Sequence, residues 1–193
     1  MMRRGLLIFF IGGILSSGFA QSPEIENIQL KDLRNKSVSI SAKDKSAVII
    51  FMGTDCPITQ KYVSRIKEIV GKFSSTTDFY GVFPNQFSIK EIKRFRKDYK
   101  LSIHFLRDEK MELAHSLKAT VTPEVFLIDA GGQLQYQGAI DNWFYELGKY
   151  RLNTTEQYLI DALTALNNGE QPPVKHTEAI GCFIQMSHEM KHH

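Results

Sequence analysis

Apolar positions along this chain fall into two rhythms, and their alternation fixes the expected elements. Residues 47–52, Ala-Val-Ile-Ile-Phe-Met, contain no polar side chain, as expected of a strand covered on both faces. A Gly53-Thr54-Asp55 turn follows, then Cys56-Pro57. After it Ile58, Tyr62, Ile66, Ile69, Val70 and Phe73 recur at helical spacing until Gly and Ser/Thr residues break the pattern near 71–75. Residues 78–83 read as a second buried strand. Ser88 and Glu91 form a capping box ahead of a helix carrying Ile89, Ile92, Phe95 and Tyr99. Its other face is basic and reads as a solvated surface.

Residues 102–106 form a short strand, and Asp108 is placed to cap a helix carrying Met111, Leu113, Ala114 and Leu117. Residues 125–128, a turn at 129–132, and Leu134 with Tyr136 predict a hairpin. Residues 154–157 read as another capping box, before a helix with Tyr158, Leu159, Ala162, Leu163 and Leu166 that stops at Asn167-Asn168-Gly169. Ahead of all this, two weak strands around Arg34-Asn35-Lys36 predict an N-terminal hairpin. Behind it, Gln171-Pro172-Pro173 opens a C-terminal extension with turn and strand character around Cys182. The sum is an α/β fold: a central mixed sheet covered by helices.

Composition refines the picture at the ends. Arg3-Arg4, an apolar run too short to span a bilayer, and small residues before Gln21 describe a secretory signal over residues 1–20. The globular domain is expected over 21–184, with a His- and Met-containing tail over 185–193 expected to be disordered. A net charge of +3 includes Arg3 and Arg4, so the exported chain is nearly balanced. That argues against a nucleic-acid partner, and no membrane partner is expected once the signal is removed.

The chemistry is expected at Cys56. Proline at a first helical position costs no hydrogen bond, so Cys56 falls at a helix N-terminus. Unpaired N–H groups and the helix dipole favour a thiolate there. Cys182 is the second of only two cysteines. In an exported protein such a pair is normally a disulfide or a redox couple, and pairing with Cys56 is the expectation. Three readings of Cys182 stay open: a resolving partner, half of a permanent bridge, or an unpaired structural thiol. A bridge would stabilise the chain by about 4–5 kcal/mol in the loop-entropy picture.

Strand, turn, Cys-Pro and helix, with Thr122-Pro123-Glu124-Val125-Phe126 much later, resemble the thioredoxin-like redoxin/peroxiredoxin group over residues 46–166. The ending Thr177-x-Ala179-x-Gly181-Cys182-x-Ile184 resembles that of exported bacterial redoxin-domain proteins. The resemblance implies a thioredoxin-like fold, a cis Pro123 packed beside Cys56, and Thr54, Asp55, Thr122 and Pro123 as substrate-positioning residues. Asp141, Asn142 and Trp143 are candidates for the site rim, and Arg65 or Arg151 for a positive charge near the thiol. Two departures stand out. Thr59 occupies the second position of a Cys-x-x-Cys pair. Thr54 stands two residues before Cys56 where peroxiredoxins have a threonine three before, and Ile50 stands where their proline is expected.

Four functions follow for testing. The first is an exported thiol–disulfide oxidoreductase, with Cys56 as nucleophile, Cys182 as resolving partner, a disulfide or thiol substrate, an external reductant and no cofactor. The second is a peroxiredoxin-like peroxidase. The third is a copper-binding thioredoxin-like chaperone using Cys182 and the tail His and Met residues, although Gln60 replaces the second cysteine of the usual Cys-x-x-x-Cys pair. The fourth is a redox-inactive module with a structural bridge.

Overall fold

The computed structural model describes residue 25, residues 27–84 and residues 86–185. The signal expected at 1–20, and the tail apart from Gln185, lie outside the described residues. In chain order the first elements are β1 (Leu30–Asp32), β2 (Ser37–Val38), β3 (Ser46–Phe51), α1 (Pro57–Phe73), β4 (Thr77–Pro84) and α2 (Ile89–Tyr99). Then come β5 (His104–Asp108), α3 (Glu112–Leu117), β6 (Val121–Thr122), β7 (Glu124–Ile128) and β8 (Leu134–Gly138). β9 (Phe144–Glu146), β10 (Lys149–Tyr150), α4 (Tyr158–Asn167) and β11 (Cys182–Phe183) complete the chain.

Seven strands form one mixed sheet in the order β2-β1-β5-β4-β3-β7-β8. β3, β4 and β5 run parallel, and the expected hairpins β1–β2 and β7–β8 close the two sides antiparallel. β3 is central and apolar throughout because both faces are covered. Val48 and Ile50 join Ile66, Ile69, Ile92 and Leu163 on one side, packing with α1, α2 and α4. Ala47, Ile49 and Phe51 join Leu113 and Leu117 of α3 on the other. Strand alternation thus divides one apolar run between two cores.

Local signals fail where a distant group intervenes. The Ser88–Glu91 capping box forms as expected. The one expected at 154–157 does not, because Asn142 engages that segment: its Nδ2 donates to Thr155 Oγ1 at 2.7 Å and its Oδ1 accepts from Thr155 N at 3.1 Å. Gln157 becomes the N-cap with no side-chain bond. Met111 precedes α3 instead of joining it and adopts a left-handed φ of 60°, while Asp108 accepts from Ala114 N at 2.8 Å. The β9–β10 hairpin was not expected, although Phe144 and Tyr150 around Gly148 carried its signal.

Candidate active site

The end of β3 delivers Cys56 to the first turn of α1. Cys56 is the N-cap, with φ −74° and ψ 114°, and Pro57 begins the helix as expected. Thr59 N–H donates to Cys56 Sγ at 3.5 Å, and Thr59 Oγ1 accepts from Gly53 N at 3.4 Å. The turn requires glycine at 53. A Cβ there would lie 2.9 Å from Thr122 Oγ1 and 3.1 Å from Cys56 Cβ. Position 59 therefore serves the thiol of Cys56 through its backbone, where a Cys-x-x-Cys enzyme has its second sulfur.

The Thr122–Pro123 bond is cis, as the resemblance implies. The Cys56 thiol donates to Thr122 O at 3.0 Å. The same short strand receives the C-terminal strap: Cys182 stands opposite Thr122, and Phe183 opposite Val121, in an antiparallel pair. The strap is fastened at both ends of this stretch. Thr177 Oγ1 meets Tyr136 Oη at 2.5 Å and accepts from Ala139 N at 3.0 Å. Ile184 N donates to Thr120 O at 2.9 Å, and the Ile184 side chain is buried.

The two sulfurs are consequently brought together. Cys182 Sγ lies 2.6 Å from Cys56 Sγ, so the two side chains are within disulfide reach. Their surroundings differ sharply. Cys56 is buried, at 1% exposure, whereas Cys182 is only partly buried. Burial pushes the Cys56 thiol up, but hydrogen bonds from the Cys182 thiol and from the Thr59 and Cys182 N–H groups outweigh it and hold the thiol below its ordinary value of 9.0. Cys182 is pushed up to about 12, first by burial, then by its bond to Cys56 and the charges of Cys56 and Asp55. Ionisation is therefore favoured at Cys56 and opposed at Cys182.

The remaining candidates divide. Thr122 accepts from the Cys56 thiol, Pro123 follows it through the cis bond, and Asp55 acts on Cys182 by charge. Thr54 contributes its carbonyl, which accepts from Gln60 Nε2 at 2.9 Å. Asp141 is not a rim group. It is buried at 2% exposure, accepting from Tyr62 Oη at 2.8 Å, from Trp143 N and from Arg65. Asn142 braces residues 155 and 156, and Trp143 packs on Tyr62. Arg65 is committed to Asp141, and Arg151 donates to Asn142 O and lies over Tyr145, so both guanidinium groups serve contacts other than the thiols.

Glu124 was missed as more than part of a motif. It is buried at 5% exposure, and its Oε2 accepts from Thr120 N at 2.8 Å and Val121 N at 3.4 Å. It thereby fixes the segment on which Cys182 docks. A carboxylate straight after the Thr-Pro pair, followed only by apolar residues, was the available signal.

Among the described residues, no three His, Cys, Asp or Glu side chains gather as a metal site, and no helix is long and apolar enough to cross a membrane. The tail His and Met residues of the copper reading lie outside the described residues. Beside Cys182, Pro57, Ile58, Phe144, Leu147 and Tyr150 line an apolar groove of about 260 Å³.

Residues 22–137 match the AhpC/TSA family. No curated protein matches the sequence. Among solved structures, an uncharacterised conserved protein of Geobacillus kaustophilus superposes with a TM-score of 0.74 at 21% identity, covering 88% of this chain and 94% of that one. A hypothetical protein of Sinorhizobium meliloti 1021 gives 0.73 at 20% identity, covering 83% and 91%. A secreted disulfide oxidoreductase of Mycobacterium tuberculosis, described as homologous to DsbE of E. coli, gives 0.53 at 17% identity, covering 58% and 84%. The fold is thioredoxin-like.

Proposed function

The chain belongs to the AhpC/TSA family and has a thiol redox function, and from that premise we propose that it is an exported thiol–disulfide oxidoreductase working through Cys56 and Cys182. The observation that carries this reading is the 2.6 Å approach of two sulfurs whose acidities are driven apart. In the oxidised pair, an external thiolate attacks the partly exposed Cys182 sulfur. The Cys56–Cys182 bond breaks, and Cys56 departs with the electron pair as a thiolate held by Thr59 N–H. A second thiol of the donor attacks the mixed disulfide, releasing the donor as a disulfide and Cys182 as a thiol. The donor is oxidised and the pair reduced; an acceptor disulfide restores the pair. In the reverse direction the deprotonated Cys182 sulfur attacks the substrate disulfide and one substrate thiolate departs; Cys56 then attacks Cys182 Sγ, re-forming the Cys56–Cys182 bond and freeing the second substrate thiolate. In this scheme substrate meets Cys182 first, in place of the expected first bond to Cys56, because Cys56 is the covered residue.

Thr122 and Pro123 position the sulfurs, and Asp55 tunes Cys182. Residues 1–20 direct export, so the mature chain begins at Gln21 and its globular part runs to 184. Equilibration with glutathione tests the central claim. A potential between about −270 and −120 mV supports exchange, and one below about −300 mV identifies a structural bridge instead. Family membership also favours a peroxidase reading, in which Cys56 becomes a sulfenic acid that Cys182 condenses with. Peroxide consumption no faster than that of free cysteine removes that alternative. N-terminal sequencing of secreted material tests the export claim, and recovery of Met1 in it rejects the cleavage site.

A further inference from the structure

A cavity of about 620 Å³ lies beside the strap, between residues 176–181 and the strand β9, with Glu124 and Thr120 in its wall. Three features of this cavity are unused by the exchange chemistry. The first is its backbone. Thr177 N donates to Gln137 O and Ile184 N to Thr120 O, but residues 178–180 between them make no hydrogen bond among the described residues. Unpaired chain of this kind is a template for another extended strand. The second is apolar surface: Tyr145, Leu147 and Phe183 are 51%, 57% and 75% exposed along the cavity. The third is charge. Glu124, Glu146 and Glu178 face Lys118 and His176 there, and Lys149 offsets Glu146. Glu124 is nine-tenths buried, with the N–H groups it accepts converging on Oε2, and Glu178 is exposed on the strap itself.

A small thiol would leave the strap's backbone groups to water and the apolar side chains exposed. An extended polypeptide satisfies both, and a basic side chain on it complements the carboxylates. We propose that this cavity docks an extended, apolar segment of a client polypeptide bearing a basic residue, and that docking presents the client's cysteine to Cys182. The final step rests on the exchange reading, and the docking itself does not. The cavity reaches Gly181 and Leu147, and Leu147 also borders the groove beside Cys182, so the two lie side by side. Once seated, the client thiolate bonds to Cys182 Sγ and Cys56 leaves as a thiolate.

The test uses the oxidised full chain, a cysteine peptide with leucine and arginine neighbours, the same peptide with glutamate for arginine, and a third N-methylated on its backbone. Dithiothreitol is the small-thiol reference. The arginine peptide should react about tenfold faster than either altered peptide. Glu178→Lys should abolish the preference for arginine over glutamate while leaving the dithiothreitol rate within about twofold. Equal rates for all three peptides overturn the proposal, as does an equal effect of Glu178→Lys on peptide and dithiothreitol. If no thiol reacts, the exchange reading falls, and docking is decided with the arginine peptide carrying serine for cysteine, followed by fluorescence anisotropy. Saturable binding weakened by Glu178→Lys supports docking; absence of saturable binding overturns it. Concentration-dependent dimers that the serine peptide does not dissociate also overturn it, in favour of a second copy on this surface.

Discussion

Gly181 passes so close to Thr122 that a Cβ on it would lie 2.3 Å from the Thr122 carbonyl oxygen and 2.7 Å from its carbonyl carbon. Both atoms belong to backbone held in the sheet, so they cannot move aside as a flexible side chain does. The strap can approach the cis-proline segment, and Cys182 can reach Cys56, only because residue 181 has no side chain.

Gly181→Ala should therefore lift the strap and leave the sheet intact. In the reduced protein, Cys56 should react with a bulky maleimide about tenfold faster than in the parent, with little change in the denaturant midpoint. Unchanged Cys56 labelling would mean that the strap accommodates the methyl group in place.

The thiols should titrate far apart. Cys56, held below 9.0 by its hydrogen bonds, contributes stability above its unfolded value and loses it as pH falls through its folded value. Cys182 has the opposite sign. Its raised pKa contributes stability below about 9, and that is lost as pH rises towards about 12. Thiolate absorbance of the reduced protein should show one ionisation below 9 and the second only near 12. Cys182→Ala removes the side-chain donor that most lowers Cys56, so the first ionisation should move upward. Two coincident ionisations in the parent would refute the division of roles.

Glu124→Ala leaves the Thr120 and Val121 N–H groups without their acceptor and should cost roughly 1–3 kcal/mol. Glu124→Gln retains an acceptor oxygen and should lose much less. Burial raises the Glu124 pKa, so its contribution is present at low pH and lost as pH rises through the folded value. Gln should accordingly compare best with Glu at pH 7, and this relative advantage should shrink towards pH 4. Melts at the two pH values check both sign and size. Equal losses for Ala and Gln would show that the acceptor geometry is unimportant.

The phase of α1 is tested by two substitutions. Ile66 is 1% exposed against the central sheet, while Lys67 points to solvent. Ile66→Asp buries an unpaired charge and should cost about 3–5 kcal/mol, whereas Lys67→Asp should stay within about 0.5 kcal/mol of the parent. Chemical denaturation measures both, and similar losses would contradict the packing.

The sequence by itself determined whatever depends on neighbours in the chain. The apolar run of β3, the turn, Cys56 at the N-cap with Pro57 behind it, the Ser88–Glu91 box and the β7–β8 hairpin all use groups within a few residues of one another. The Thr-Pro pair was legible too, although its cis geometry came through a family resemblance. The partnership across 126 residues was expected from there being two cysteines, but the contacts that carry Cys182 to Cys56 came only with the tertiary structure. The strap is held by Thr177 on Tyr136 and Ala139 and by Ile184 on Thr120, contacts that follow no sequence period. The same holds for Arg65, whose local helix position gave no sign that Asp141 would claim its charge. Which sulfur is covered also belongs to the assembled molecule. Cys56 begins the helix favoured for a thiolate, but a strap returning over that helix end buries it and leaves Cys182 partly exposed. Local periodicity records which face of an element is apolar; it carries no record of what later folds across its end.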